Sequence, residues 1–214
     1  MLANVSLFSD LKKGDLDILA AHGVTRSFPR NTVVITEGDT SDSLYLIIEG
    51  RVKVFLMDDQ GREVILRTQG SGEYFGELAL VDERPRSASV MTLEPAKFSI
   101  ISRAAFDECL SRHPKIAMVL VRHLSRLVRA LTENVRSLAL LDVYGRIARL
   151  LLELAVKRED KLVIEERLTH QEIASRVGAS REMVSRIMKD LVDGGYVEQD
   201  GKRLVIHEKL PPAW

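Results

Sequence analysis

The sequence predicts an α+β chain in three parts: an N-terminal β-roll of the jelly-roll kind over residues 1–114, a long dimerisation helix over 115–143, and a C-terminal winged helix-turn-helix over 144–214. Three observations predict this. Between Pro29 and Ile101 short runs rich in Val, Ile, Leu and Tyr (TVVIT, SLYLII, RVKVFLM, EVILRT, ASVMT and KFSII) alternate with Gly-, Asp- or Pro-bearing turns, the pattern of a small antiparallel sandwich or barrel. From about Lys115 to Asp142 leucines recur at alternating steps of three and four, as a helix with an apolar seam requires. From Leu168 to Val192, LTHQEIASRVGASREMVSRIMKDLV sets two short amphipathic helices around a Gly-Ala-Ser turn.

Length and composition bound the rest. The 214 residues have room for two domains with cores of their own, and 45% hydrophobic with 29% charged residues suits a globular chain. Lys and Arg balance Asp and Glu at 31 each, so any affinity for nucleic acid must come from local patches. No apolar run approaches the roughly 20 residues of a membrane span, and MLANVSLFSDLKKGD lacks a secretory pattern, so a cytoplasmic location without a membrane partner is expected. Cys109 is the only cysteine, which excludes an intramolecular disulfide and a four-cysteine cluster; no spacing suggests a metal site.

Residues 1–27 read as a helical lead-in ending near Gly23, and after the strand runs RAAFDECLSRH forms a short helix that Pro114 punctuates. On the long helix Ala117, Leu120, Leu124, Leu127, Leu131, Asn134, Leu138 and Leu141 make a heptad seam, with Asn134 its single polar member. Such a seam wants a partner helix, and a buried Asn fixes register and a two-stranded state, so a parallel homodimer is expected. The other reading is that the leucines cover the strand domain; Val121, Val128 and Val135 on the adjoining stripe are read as serving that purpose. Residues 144–160 continue as a helix, and LVIEE leads into the helix-turn-helix.

In that motif Ile173, Ala174 and Val177 face inward, Gly178 permits the turn, and Ser180 is a plausible N-cap for a second helix whose Val184, Ile187, Met188 and Leu191 are buried. Arg181, Glu182 and Arg186 then stand exposed near its N-terminus, where Arg pairs with guanine and Glu accepts from cytosine in a major groove. A solvated charged face is the alternative. The tail, with an Asp-Gly turn before LVIH, reads as a wing hairpin.

Within the strand region GEYFGELALVDERPRSASV interrupts the pattern with a Gly-flanked turn holding Glu77, Arg86 and Ser87. Gly76 allows close backbone approach, Arg86 supplies a positive fork for a phosphate, and Glu77 can accept from sugar hydroxyls. Carboxylate and guanidinium together describe a nucleotide site; a surface ion pair is the plainer reading of the same two residues.

The motifs FGELAL and PRSASV resemble the phosphate-binding cassette of cyclic-nucleotide-binding domains, and the chain as a whole, including LLDVYGRIARLLL, resembles the cyclic-AMP receptor (Crp/Fnr) family of bacterial transcription regulators. The resemblance implies that Glu77 binds the ribose 2′-hydroxyl, that Arg86 and Ser87 bind the cyclic phosphate, and that the backbone of Gly76 and Leu78 lines the pocket. It implies further that Arg181, Glu182 and Arg186 read a palindromic double-stranded DNA site similar to TGTGA, and that RNA polymerase is a partner; Ser180 and Ser185 stand beside them, and Ser185 departs from the pattern by giving an R-E-x-x-S-R helix that blends two branches of the family. Cyclic AMP is the implied effector, and no cofactor is needed. One departure bears on this: where cyclic-AMP receptors present a Thr-Ser pair to the adenine, this chain has Leu131-Thr132, and Leu131 cannot hydrogen-bond a purine. Cyclic dimeric GMP, for which the Arg122/Arg126 spacing in RHLSR is suited though common on basic helices, and ligand-independent DNA binding are the alternatives. An enzyme is not expected, since no nucleophile–base pair, metal cluster or Walker-type loop is present.

Overall fold

A computed structural model describes residues 23–159, 161–165, 167–201, 203–207 and 210–211. They form two compact units, one running to Leu56 and from Ile65 to Arg129, the other holding Met57–Val64 and the chain from Ala130 onward.

The first unit is made of two four-stranded sheets. In chain order the strands are β1 (Val24–Phe28), β2 (Val33–Ile35), β3 (Ser43–Glu49), β4 (Val52–Met57), β5 (Glu63–Gln69), β6 (Tyr74–Phe75), β7 (Ser89–Thr92) and β8 (Ala96–Ser102). They pair in the orders β1-β8-β3-β6 and β2-β7-β4-β5. Side chains alternate across a strand, and β3 uses both faces. Ile47 joins Ile35, Val54, Phe75, Val90 and Phe98 between the sheets, whereas Leu44 and Leu46 turn the other way to Ile101, Phe106 and Ile116. That outer face is covered by the short α1 (Glu77–Asp82), α2 (Arg103–Arg112) and the start of the long α3 (Lys115–Leu140). Ser102 caps α2 by accepting from the Ala105 N–H.

All six strand runs read from the sequence are strands. The pattern missed β1, because residues 24–27 had been joined to a helical lead-in whose remainder lies outside the described residues. It also missed the two-residue β6, too short to show a period.

The second unit contains α4 (Val143–Leu154), β9 (Val156–Arg158), β10 (Lys161–Ile164), α5 (His170–Val177), α6 (Arg181–Asp193), β11 (Val197–Asp200) and β12 (Arg203–Ile206). Its core joins Ile147 and Leu151 of α4 to Ile173 and Val177 of α5 and to Val184 and Leu191 of α6. The helix expected over 144–160 stops at Leu154; Ala155 is extended and Val156 opens a strand. LVIEE contributes β10 rather than a plain connection, so the expected wing hairpin belongs to a four-stranded sheet ordered β11-β12-β10-β9. In the wing Asp200 is itself a strand residue paired with Arg203, and Gly201 has φ +60°.

The leucine seam is divided along the helix. Leu120 is buried and Leu124 half-buried in the cluster with Phe106 and Ile116, and Leu127 is half-buried. Farther along, the Leu138 side chain reaches to 3.4 Å of where a Cβ on Gly178 would stand. Leu131, Asn134, Leu138 and Leu141 are exposed all the same. The valines assigned to cover the strands are the exposed row instead: Val121, Val128 and Val135 are 51%, 61% and 64% exposed. The physical reason is that two apolar rows share one helix, and periodicity cannot say which row meets which neighbour.

Gly50 has φ +89°, and an added Cβ would lie 2.6 Å from the Pro95 carbonyl oxygen; at Gly61, φ +75°, it would meet nothing within 4 Å. Gly61→Ala is therefore expected to cost only the left-handed strain of about 1–2 kcal/mol, and Gly50→Ala clearly more. Urea denaturation of both variants measures the difference; equal midpoints would contradict the packing at Gly50.

Candidate functional site

Strand β6 ends at Gly76, whose φ of +86° turns the chain into α1. A side chain there would put a Cβ 2.6 Å from Arg86 Nη1 and 2.9 Å from the Ser43 carbonyl oxygen, so glycine is required by conformation and by space. Arg103, at the start of α2, donates to the carbonyls of Ala79 and Leu80 and closes the last turn of α1. Nothing in the sequence pattern singled out this arginine.

Gly76, Glu77, Leu78, Arg86 and Ser87 come together along one cavity of about 40 Å³, with Arg67, Phe75 and Val90 among the other lining residues. Arg86 is buried. It donates from Nε to the Ser41 hydroxyl (3.0 Å), from Nη1 to the Gly76 carbonyl (2.8 Å) and from Nη2 to the Ser43 carbonyl (2.7 Å). Of the five N–H groups of a guanidinium, three are thus bound to described residues and two remain for an anion. Its carbon also stands 5.9 Å from the centre of the Tyr45 ring, at the reach of a cation–π contact. Burial lowers its pKa, opposed by Tyr45, Asp42 and Glu77.

Glu77 is only 1% exposed. Burial, the largest single influence, opposes its ionisation; the His123 imidazole and the Arg67 guanidinium outweigh it and hold the pKa below the usual carboxylate range. Oε1 lies 3.2 Å from Arg67 Nη2 and 3.5 Å from His123 Nε2, while Oε2 has no hydrogen-bond partner among the described residues. Arg67 and His123 are the site residues that sequence reasoning missed. A cationic side chain interrupting the apolar run EVILRT was the one available signal for Arg67.

Leu131 and Thr132 are exposed on α3, in the second unit, and are not among the residues lining the cavity.

In the second unit Thr169 and Glu172 form a reciprocal capping box that starts α5. Gly178 ends it at φ +64°, and Ser180 caps α6 by accepting from the Met183 N–H at 3.2 Å. Arg146 of α4 donates to the carbonyls of Val177 and Leu141, tying the end of α5 to the end of the long helix. With Val184, Ile187, Met188 and Leu191 buried, Ser180, Arg181, Glu182, Ser185 and Arg186 are all exposed on the opposite face. Beside this face an open recess of about 750 Å³ is lined by Arg167, Thr169, His170, Gln171, Arg181 and Gln199, a set rich in hydrogen-bond donors.

A family model for the cyclic nucleotide-binding domain matches residues 25–113, and one for the Crp-like helix-turn-helix domain matches residues 145–209. Over 212 residues, 97% of this chain and 95% of the relative, the sequence is 33% identical to the CRP-like cAMP-activated global transcriptional regulator of Mycobacterium tuberculosis. The chain belongs to the Crp/Fnr family. It is also 38% identical over 200 residues, 89% of this chain and 92% of the other, to the cAMP-activated global transcriptional regulator Vfr of Pseudomonas aeruginosa. A solved structure of the c-di-GMP responsive global regulator CLP of Xanthomonas campestris matches with a TM-score of 0.81 at 30% identity, covering 92% of this chain and 100% of that one. The protein is a Crp-like transcription regulator with a cyclic nucleotide-binding domain and a DNA-binding helix-turn-helix, in a family that is not enzymatic. No described helix is long and apolar enough to cross a membrane.

The depressed pKa of Glu77 makes a pH prediction. A carboxylate whose folded pKa lies below its unfolded value of about 4.5 contributes stability that is present above that pH and lost as pH falls through the folded pKa. Glu77→Gln is expected to lower stability at neutral pH and to flatten the acid limb below about pH 4.5. Thermal melts from pH 3 to pH 7 check it; an unchanged acid limb would contradict an ionised Glu77.

Proposed function

We propose that the chain is a homodimeric regulator that binds cyclic AMP at Glu77 and Arg86 and then reads a palindromic DNA site. The observation that carries this reading is that Glu77, whose buried Oε2 has no partner among the described residues, lines the same cavity as Arg86. A buried ionised acceptor without a partner calls for a donor, and a guanidinium with N–H groups to spare calls for an anion. A nucleotide offers both, a sugar hydroxyl and a phosphate. Gly76, Leu78 and Ser87 complete the cradle. At about 40 Å³ the cavity is far smaller than the roughly 300 Å³ of a typical ligand pocket, so binding requires the segment around α1 to move outward.

The dimer uses the exposed row of α3 in this reading. Met118, Val121, Ser125, Val128, Thr132, Val135 and Ala139 follow alternating steps of three and four, and all are exposed. Leu131 and Leu138 flank that row. A two-fold dimer carries Arg181, Glu182 and Arg186 of each subunit to half-sites about one DNA turn apart, with Ser180 and Ser185 beside them. RNA polymerase contact, activity in the cytoplasm and the division at residues 114 and 143 belong to the same proposal.

Cyclic dimeric GMP is the second reading. Leu131 offers a purine no hydrogen bond, Arg67 places a second cation along the cavity, and the Xanthomonas regulator supports it by likeness.

Calorimetric titration with cyclic AMP, cyclic GMP and cyclic dimeric GMP is the direct test. Glu77→Gln replaces a charged acceptor with a neutral one and is expected to weaken the bound nucleotide about tenfold or more, a difference near 1.5 kcal/mol. Arg86→Leu removes the phosphate partner and also three hydrogen bonds of the roll, so Arg86→Lys is the cleaner variant, keeping charge while losing the fork. No heat with any of the three ligands in the wild type would refute the site.

Sedimentation tests the dimer face. Val128→Asp is expected to yield monomers without loss of the roll, whereas Leu120→Asp is expected to unfold the first unit. A dimer undiminished by Val128→Asp would refute the valine row as the interface. Arg186→Ala is expected to cost about 1–3 kcal/mol and to relax preference at one base pair when sites are selected from random DNA. An enriched motif without two-fold symmetry would refute the dimeric reader.

A further inference from the structure

Three side-chain atoms in the first unit are sealed from solvent and have no hydrogen-bond partner among the described residues around one point: the Tyr74 hydroxyl, Glu77 Oε2 and His123 Nε2. The His123 and Tyr74 ring centres are 4.6 Å apart, and His123 Nε2 stands 3.5 Å from Glu77 Oε1. That separation is short enough for ionic attraction and too long for a good hydrogen bond. Burial drives the Tyr74 phenol well above its ordinary pKa, so the phenol stays neutral. The three elements meeting here are β6, which carries Tyr74, α1, which carries Glu77, and α3, which carries His123.

Glu77 lines the cavity and His123 does not. The imidazole meets Glu77 at Oε1, the oxygen it shares with Arg67, and its backbone belongs to the long helix. We infer that His123 is a positioning residue that links sugar recognition at Glu77 to α3. The inference rests on the reading of Glu77 as the acceptor of a ribose hydroxyl. A ligand hydroxyl donating to Oε2 turns the carboxylate plane, and Oε1 closes the 3.5 Å gap so that His123 Nε2–H donates to it. Arg67, 3.2 Å from the same oxygen, holds the charge throughout. One event at the sugar thus satisfies two buried atoms, one of them on α3, and occupancy of the cavity reaches the helix through the carboxylate.

The test is a titration of the full chain with cyclic AMP and with 2′-deoxy cyclic AMP, in the wild type, His123→Leu, His123→Gln and His123→Asn. The wild type is expected to prefer the ribose ligand about tenfold or more, the effect of one hydrogen bond to a charged group. His123→Leu should lose most of that preference. His123→Gln, whose amide N–H falls near the Nε2 position, should regain it, and His123→Asn, whose amide falls near Nδ1, should not. A merely structural histidine would weaken both ligands alike and leave their ratio unchanged. Hydrogen exchange over residues 119–127 reads the helix: cyclic AMP should slow exchange there more than the deoxy ligand does, and His123→Leu should abolish the difference. If the wild type binds neither ligand, or binds both equally, the ribose reading of Glu77 falls and this link with it. If the wild type discriminates and His123→Leu discriminates as well, with the helix equally protected, the link is overturned while Glu77 stands. Should the leucine variant fail to fold, equal ratios in the Gln and Asn variants overturn it.

Discussion

Taking the Glu77 carboxylate out of water opposes its ionisation, and the Arg67 guanidinium with the His123 imidazole holds it charged all the same. An isolated charge in that position would be costly, so the ionised state of Glu77 depends on β5 and α3 bringing those two side chains to it. Roll, turn and long helix are thereby committed to one arrangement. What the site can recognise follows from the same fact: a charged acceptor kept dry is specific for a donor, because any ligand lacking one leaves it unpaired.

Arginine forks do much of the remaining joining in both units. Arg86 gathers Ser41, Ser43 and Gly76, and Arg103 closes the last turn of α1. In the second unit Arg146 donates to the carbonyls of Val177 and Leu141. Each fork satisfies backbone acceptors where helices or strands end, and a planar group with five donors does so in several directions at once. The consequence for function is that Arg86 has a structural duty alongside its expected duty to phosphate. Its removal and the loss of the ligand cannot be equated.

The long helix shows how amphipathic pattern is divided by three dimensions. Its leucine row is buried only where the helix begins, on Phe106 and Ile116; from Leu131 onward that row is exposed, as the valine row is throughout. Longer, γ-branched leucines fill the space left between α2 and the strands. The flatter valine row, with small Ser125, Thr132 and Ala139 between, leaves a surface that a second helix can approach closely.

Composition, periodicity and turn chemistry were sufficient for the six central strands, the three-part organisation, the two helices of the DNA-reading motif and the capping role of Ser180, since each depends on residues close together in the chain. The same holds for Gly76, Glu77 and Arg86 as a set, which lie within one short segment and carry a recognisable motif. Tertiary structure alone decided that β1 is a strand, because Val24–Phe28 becomes one only by pairing with Ala96–Ile100. It decided that Val156 opens a strand on β10 and does not extend α4. It decided which apolar row of α3 turns inward, and it placed Arg67 and His123 on the carboxylate from 10 residues before it and 46 after it. Contacts between segments distant in the chain leave no local spacing to read, and a buried charge finds its partners only when the fold has closed.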